Sequence, residues 1–212
     1  IRDFAVNAGH ASETIRQAVL DEQMVAATGI HFHVSDESEE ILGSSGALWK
    51  LKDWIGKSTL LVSNGDTISF PAWKKMVEFH RKSGAKLTVH VRSFSSENEK
   101  YRTIGFDDSG RVHTLGEKSD TGVLFSGNYI IEPDILSLLP KGVSELVPTL
   151  FEPLIRQGLL FAYREDVAWY DTGNVQSFAQ AQFELMDSIP QARELIELKM
   201  KEIEDDVWIP KQ

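Results

Sequence analysis

The chain has 212 residues, 42% of them hydrophobic and 25% charged, with a formal net charge of −10 and no cysteine. It is long enough to bury a real core, and its acidic balance argues against a nucleic-acid-binding task, which needs stripes of Lys and Arg. The lack of cysteine excludes disulfides and thiolate metal sites. No apolar run approaches the roughly 20 residues of a membrane span, and no signal-peptide pattern is visible, so a cytoplasmic location without membrane partners is expected.

Ile1 to Asn7 reads as a strand already in progress, and the chain does not open on methionine, so a segment upstream of Ile1 is expected. Ser12 can cap a helix whose positions Ile15, Val19, Leu20 and Met24 keep helical spacing, with Gly29 closing it. Ile30 to Val34 alternates as a strand with His31 and His33 on one face. A His-x-His pair can bind metal, but with no third ligand nearby a solvated or packed face is the favoured reading. Gly43-Ser44-Ser45-Gly46 leads into a helix from Ala47 to Ile55, with Leu48, Leu51, Lys52 and Ile55 as its packed stripe. Thr59 to Ser63 is a buried strand, Ser69 and Pro71 open a helix that runs to Gly84, and Lys86 to Val91 is the next strand. This alternation predicts an α/β fold, doubly wound, with a mostly parallel sheet and helices on both faces.

The middle of the chain changes character. Tyr101 to Phe106, the turn Asp107-Asp108-Ser109-Gly110 and Arg111 to Leu115 read as a small inserted β-hairpin. Val123 to Ile131 is a further strand, followed by a short helix before Pro140. Val147 to Gln157 is helical and stopped by Gly158, and Leu159 to Tyr163 returns to the sheet. From Val175 the chain is helical, and Pro190 can open a second terminal helix carrying Leu195, Ile196 and Ile203. Val207-Trp208-Ile209-Pro210 is an apolar tail that must dock on this chain or on another. There is no internal repeat or linker, and residues 1–212 read as a single domain.

Two aspartates stand where apolar runs end: Asp66 after Leu60-Leu61-Val62 and Asp171 after Val167-Ala168-Trp169. Ligands of open α/β sheets bind beyond the carboxyl ends of strands. Two such carboxylates can converge on one Mg²⁺, a hard cation that takes carboxylates, water and phosphates. The competing reading is that each aspartate only caps a turn before glycine.

The order of these pieces resembles the sugar-1-phosphate nucleotidylyltransferases. Leu42-Gly43-Ser44-Ser45-Gly46-Ala47 resembles that family's L-G-T-A-G-A turn, and Asn64-Gly65-Asp66 its N-G-D strand end. Phe106 to Val112 followed by Glu117-Lys118 resembles F-D-x-x-G-x-V and E-K-P. Phe125-Ser126-Gly127-Asn128-Tyr129 resembles the sugar segment N/T-x-G-x-Y, and Trp169 to Gly173 resembles W-x-D-x-G-T. The resemblance implies a Rossmann-like nucleotide-diphospho-sugar transferase fold and transfer of a nucleotidyl group from an NTP to a sugar 1-phosphate, with release of pyrophosphate.

By the same resemblance, Asp66 and Asp171 hold Mg²⁺, and Lys118 joins them as a catalytic residue by neutralising the sugar phosphate. Gly43, Ser44, Gly46, Asn64 and Gly65 contact the nucleotide. Glu117, Lys118, Gly127 and Asn128 contact the sugar phosphate. Without that context, Glu117-Lys118 is a surface ion pair.

The family's opening glycine-rich loop, G-G-x-G-T-R-L-x-P-x-T followed by P-K-P, has no counterpart here, so the first strand and phosphate loop are expected to be missing from this stretch. Arg102, Ser119 and Asn174 also depart from the family pattern. The Leu42 to Ala47 turn and the helical ending look most like the mannose-1-phosphate guanylyltransferase-like branch, and the ending permits a homodimer. Two other readings compete: a catalytically inactive relative acting as a sugar-nucleotide-binding or regulatory subunit, and a glycosyltransferase with an aspartate-bound metal.

Overall fold

The computed structural model describes residues 1–20, 29–93, 103–116, 122–188, 200–204 and 207–210. β1 (Asp3–Ala8) leads into α1 (Ser12–Leu20) and pairs in parallel with β2 (His31–Asp36), from Asp3 opposite His31 to Ala8 opposite Asp36. Met24 lies outside the described residues. His31 and His33 share an exposed face: His31 Nδ1 is 3.3 Å from Asp3 Oδ1, and His33 stacks on Trp54.

α2 (Gly43–Ile55) begins at Gly43 rather than at Ala47. The extra turn exists because a distant loop caps it. Ser45 and Gly46 donate their N–H groups to Ser144 O, at 3.0 and 3.3 Å, and Ser44 Oγ donates to Glu145 Oε2 at 2.5 Å. Such long-range capping satisfies donors that a helix start otherwise leaves unpaired.

β3 (Leu60–Ser63) turns into a short strand, β4 (Thr67–Ser69), before α3 (Trp73–Ser83). Ser69 is therefore a strand residue and does not open the helix. Glu165 takes that place, accepting the Ala72 N–H at 2.8 Å, and Gly84 stops the helix in the left-handed conformation.

β5 (Leu87–Ser93) precedes the inserted hairpin of β6 (Ile104–Phe106) and β7 (Val112–Leu115). Its turn is closed by Gly110 N–H to Asp107 O, while Asp107 Oδ1 accepts the N–H groups of Ser109 and Arg111. Tyr101 and Arg102 lie outside the described residues. β8 (Val123–Ile131) is followed by a 3₁₀ turn (Pro133–Leu138), then by a π-helical turn (Val147–Phe151) that runs on into α4 (Glu152–Arg156). β9 (Leu160–Arg164), β10 (Trp169–Asp171) and α5 (Val175–Ser188) follow. Asn174 caps α5 by accepting the Ser177 N–H on its Oδ1 at 2.9 Å.

The expected second terminal helix is corrected at its end. Pro190, Leu195 and Ile196 lie outside the described residues, and Ile203 belongs to a strand, β11 (Met200–Glu204). β11 pairs antiparallel with β12 (Val207–Pro210), setting Glu202 opposite Trp208, so the apolar tail pairs within its own chain.

The main sheet has the order β3–β8–β5–β9. β5 and β9 are parallel, and β8 lies antiparallel to both β3 and β5, so three strands run one way and β8 the other. One face carries Leu87, Val89, Val91, Tyr129 and Ile131 against Leu48, Leu51 and Ile55 of α2 and against Leu150, Phe151 and Leu154, which is the hydrophobic core. The other face lies under α3, where buried Met76 and His80 pack and where the strand carries Thr88 and His90.

His80 accepts a hydrogen bond from Thr88 on Nδ1 (2.7 Å) and gives one to Glu132 from Nε2 (3.1 Å), because a carboxylate can only accept. His90 Nδ1 is 2.7 Å from Ser126 Oγ. Burial holds both imidazoles below the ordinary histidine value. Glu132 opposes this at His80, where Arg81 and Lys86 reinforce it; Glu165 and Asp166 oppose it at His90, where Arg92 reinforces it. The unfolded chain then binds protons that the folded chain refuses, so the stability these two groups contribute is fully present above about pH 6.5 and is lost as the pH falls through their depressed values.

Urea denaturation should accordingly give a lower midpoint at about pH 5.5 than at about pH 7.5, and replacing both His80 and His90 by Asn should flatten that dependence. In the core, Leu150 is fully buried. Leu150→Ala should cost about 2–5 kcal/mol in the same denaturation assay through the cavity it leaves.

Candidate functional site

The two strand-end aspartates come together because β4 and β10 pair. These short antiparallel strands set Asp171 opposite Thr67 and Trp169 opposite Ser69, and Thr172 N–H continues the ladder to Asp66 O at 2.8 Å. A methyl group placed on Gly173 would lie 3.2 Å from Asp171 Oδ1 and 3.7 Å from Asp66 Oδ2, so these two oxygens are at most about 7 Å apart. Asp66 is exposed and Asp171 half-buried. Asp171 Oδ1 also accepts the Gly173 N–H at 2.8 Å, which is the turn-capping role weighed above.

The donor chemistry fits a hard cation. Mg²⁺ is commonly held by one or two carboxylates, completing its octahedron with water and substrate phosphate oxygens. Among the described residues no group of three His, Cys, Asp or Glu side chains forms a closed cage. Two aspartates at an open strand end match that partial coordination.

Asn64 and Gly65 lie in the turn that carries Asp66, between β3 and β4. Asn64 N–H donates to Gly127 O at 3.0 Å. Gly127 has a φ of +86°, and a methyl group there would press on Asn64 Cβ and Cγ at 3.0 Å, so glycine is needed for both conformation and close approach. Asn128 is 1% exposed, and its amide Nδ2 donates to Ser69 Oγ (2.7 Å) and to Ser126 Oγ (3.1 Å). Its placement is inside the framework, beside the aspartates.

Gly43, Ser44 and Gly46 form a second group at the start of α2. A side chain on Gly43, whose φ is +72°, would strike Glu145 Oε1 at 2.6 Å and Ser144 O at 2.7 Å. The space in front of Gly43 is thus taken by the loop that caps the helix. Beside this turn opens a cleft of about 490 Å³ bordered by Glu37, Leu42, Trp49, Lys50, Lys141 and Gly142. Glu37 is buried there, with Oε2 accepting the Leu42 N–H at 3.2 Å. Glu117 and Lys118 lie outside the described residues, as does Ser119.

Sequence reasoning gave no site role to His90, Ser126 or Ser69, which tie the aspartate end of the sheet together. A signal was present: His90 interrupts an otherwise apolar strand center, Val89-His90-Val91. Arg92, next along β5, places its guanidinium 5.3 Å from the Trp169 ring and braces β10.

Comparison with known proteins identifies the family. The profile of the family described as Nucleotidyl transferase matches residues 1–188. The chain is 27% identical to the mannose-1-phosphate guanylyltransferase catalytic subunit beta of Xenopus tropicalis over 169 residues, covering 77% of this chain and 46% of that protein. It is 26% identical to the Danio rerio protein of the same name over 198 residues, covering 90% of this chain and 54% of that one. The chain thus spans about half the length of these relatives. The structure of HddC from Yersinia pseudotuberculosis complexed with GMP-PN superposes with a TM-score of 0.70 at 19% identity, over 87% of this chain and 79% of that one, a likeness of fold. With the matched profile reaching from Ile1 through α5 and across both aspartates, the chain belongs to the nucleotidyl transferase family.

Proposed function

We propose that this chain forms the nucleotidyl-transfer domain of a sugar-1-phosphate nucleotidylyltransferase. The observation that carries the reading is the meeting of Asp66 and Asp171 at one strand end, beside the close-packed Gly127. In the proposed reaction an oxygen of the sugar 1-phosphate attacks the α-phosphorus of an NTP. A new P–O bond forms, the bond to the β-phosphate oxygen breaks, and pyrophosphate leaves. Such chemistry asks the protein mainly for positioning and charge neutralisation.

Asp66 and Asp171 would hold Mg²⁺, which when bound supplies neutralising charge to the phosphates. Lys118 is assigned to the sugar phosphate and Glu117 to sugar hydroxyls, with Gly127 giving the ring room to approach. Gly43, Ser44 and Gly46 are assigned to the base side of the nucleotide. The N–H groups of Ser45 and Gly46 already bond to Ser144 O, so this helix start offers no anion pocket and the phosphates fall to the aspartate end. The names of the relatives favour GTP and mannose 1-phosphate as the first pair to try.

The edge of β3 away from β8 has no strand partner among the described residues. We assign that edge to a strand carrying a glycine-rich phosphate loop, outside residues 1–212.

The assay is pyrophosphate release with Mg²⁺, each of the four NTPs and a panel of hexose 1-phosphates. Asp66→Asn and Asp171→Asn should each lower the rate by about 10²-fold or more, with little change in melting temperature, since each removes charge stabilisation at the reacting phosphates. Nucleotide binding without pyrophosphate release from any sugar phosphate, in the full-length protein, would instead identify a non-catalytic sugar-nucleotide-binding subunit. A polypeptide that supplies a glycine-rich strand and loop ahead of Ile1 should outpace residues 1–212 by about 10²-fold or more, because single transition-state donors carry effects of that size. Equal rates from both would remove the phosphate-loop assignment.

A further inference from the structure

β8 does not pair evenly with β5. Tyr129 faces Val89 and Phe125 faces Val91, so three residues of β8, Ser126 to Asn128, lie opposite the single residue His90. A bulge of this kind leaves part of the ladder unpaired and re-aims what it carries. Here it reaches three segments around the aspartates. Gly127 O accepts the N–H of Asn64, two residues before Asp66 (3.0 Å). Ser126 O accepts the indole N–H of Trp169, two residues before Asp171 (2.8 Å). Asn128 Nδ2 donates to Ser69 Oγ, on the strand that pairs with Trp169 (2.7 Å).

The bulge is held by His90. Its side chain is fully buried, and Nδ1 meets Ser126 Oγ at 2.7 Å, while the same oxygen receives the Asn128 amide at 3.1 Å. With the amide donating to Ser126 Oγ, the serine hydrogen is free to point at Nδ1. Nε2 then carries the ring hydrogen; Glu165 Oε2 stands 3.9 Å away, beyond hydrogen-bond reach, and Nε2 has no hydrogen-bond partner among the described residues. The order carboxylate, imidazole, hydroxyl is that of an activated nucleophile, without the carboxylate–imidazole hydrogen bond that such a nucleophile uses. Ser126, however, is 1% exposed and its oxygen is bound from both sides, so no substrate reaches it.

We propose that His90 is a positioning residue which, through Ser126 and Asn128, locks the β8 bulge and thereby sets the separation of Asp66 and Asp171 for a divalent cation. This rests on the reading of the two aspartates as cation ligands. Removing the lock frees the bulge to relax, and the segments bearing the aspartates move independently of each other.

The test is titration of the full chain and its variants with Mn²⁺ alone, following free Mn²⁺ by electron paramagnetic resonance, with a thermal melt of each variant. Asp66→Asn and Asp171→Asn test the underlying site and should abolish binding. His90→Gln and Ser126→Ala should each weaken Mn²⁺ by about 10-fold, the scale found when supporting partners of metal ligands are removed. His90→Asn places an amide where Nδ1 stood and should recover affinity to within about 2-fold, given its hydrogen bond to Ser126. A lowered melting temperature with unchanged Mn²⁺ affinity in His90→Gln would mark a packing role and overturn the proposal, as would a loss that His90→Asn does not restore. If wild-type protein takes up no Mn²⁺, or Asp66→Asn leaves it unchanged, the cation site itself fails and the positioning role falls with it.

Discussion

The reversed strand β8 is the constraint on which the arrangement of the sheet end depends. Because it runs against β3 and β5, its middle passes the place where β3 stops, with Asn128 opposite Ser63 at the last pair of that ladder. A regular strand would continue flat past this point. The extra residues at Ser126 to Asn128 instead bend it, and Gly127 takes the left-handed conformation the bend requires. The Asn64–Asp66 turn hangs from the bulge by a main-chain hydrogen bond, and Trp169 is fastened to it through the indole. The aspartates are brought close by two strands of only three residues each, β4 and β10, so these anchors contribute much of what keeps that pair in register.

The same economy appears at the start of α2. Glycine at positions 43 and 46 costs helix stability, since glycine gives up the most conformational freedom on folding. The return is close contact with the loop at 142–145: a methyl on Gly46 would lie 2.4 Å from Gly142 O, and one on Gly43 would collide with Ser144 and Glu145. Helix and loop therefore interlock, with Ser45 Oγ bonded to Thr149 Oγ1 at 2.7 Å on the next turn. The π-helical turn at Val147–Phe151 continues from that junction and delivers Leu150 and Phe151 to the core.

The two faces of the sheet are built on different physics. The face under α2 is closed mainly by apolar packing, with the Ser45–Thr149 hydrogen bond at its edge. The face under α3 buries His80, Thr88, His90, Ser126 and Asn128, which bond as His80–Thr88, His90–Ser126 and Asn128–Ser126, while His90 Nε2 and Asn128 Oδ1 have no hydrogen-bond partner among the described residues. Such networks hold geometry tightly when satisfied. They also tie fold stability to protonation, since burial strips an imidazolium of water and Glu132 at His80 and Glu165 at His90 offset that loss only in part.

By itself the sequence determined most of the elements and their order. Apolar spacing marked most of the strands and helices, and Gly84, Gly110 and Gly158 marked stops and turns, because periodicity and glycine freedom are local properties of the chain. It also placed Asn64–Asp66 and Trp169–Gly173 at the ends of apolar runs, where a ligand site is to be sought. Only the tertiary structure decided what those local signals cannot contain. It reversed β8, made Ser69 a strand residue by pairing it with Trp169, and started α2 at Gly43 through Ser144 and Glu145. It turned Ile203 into a strand residue and set Asp66 beside Asp171. Each of these depends on a partner far away in the sequence, and pairing across such separations is chosen by packing and hydrogen bonding of the whole fold, which no window of neighbouring residues encodes.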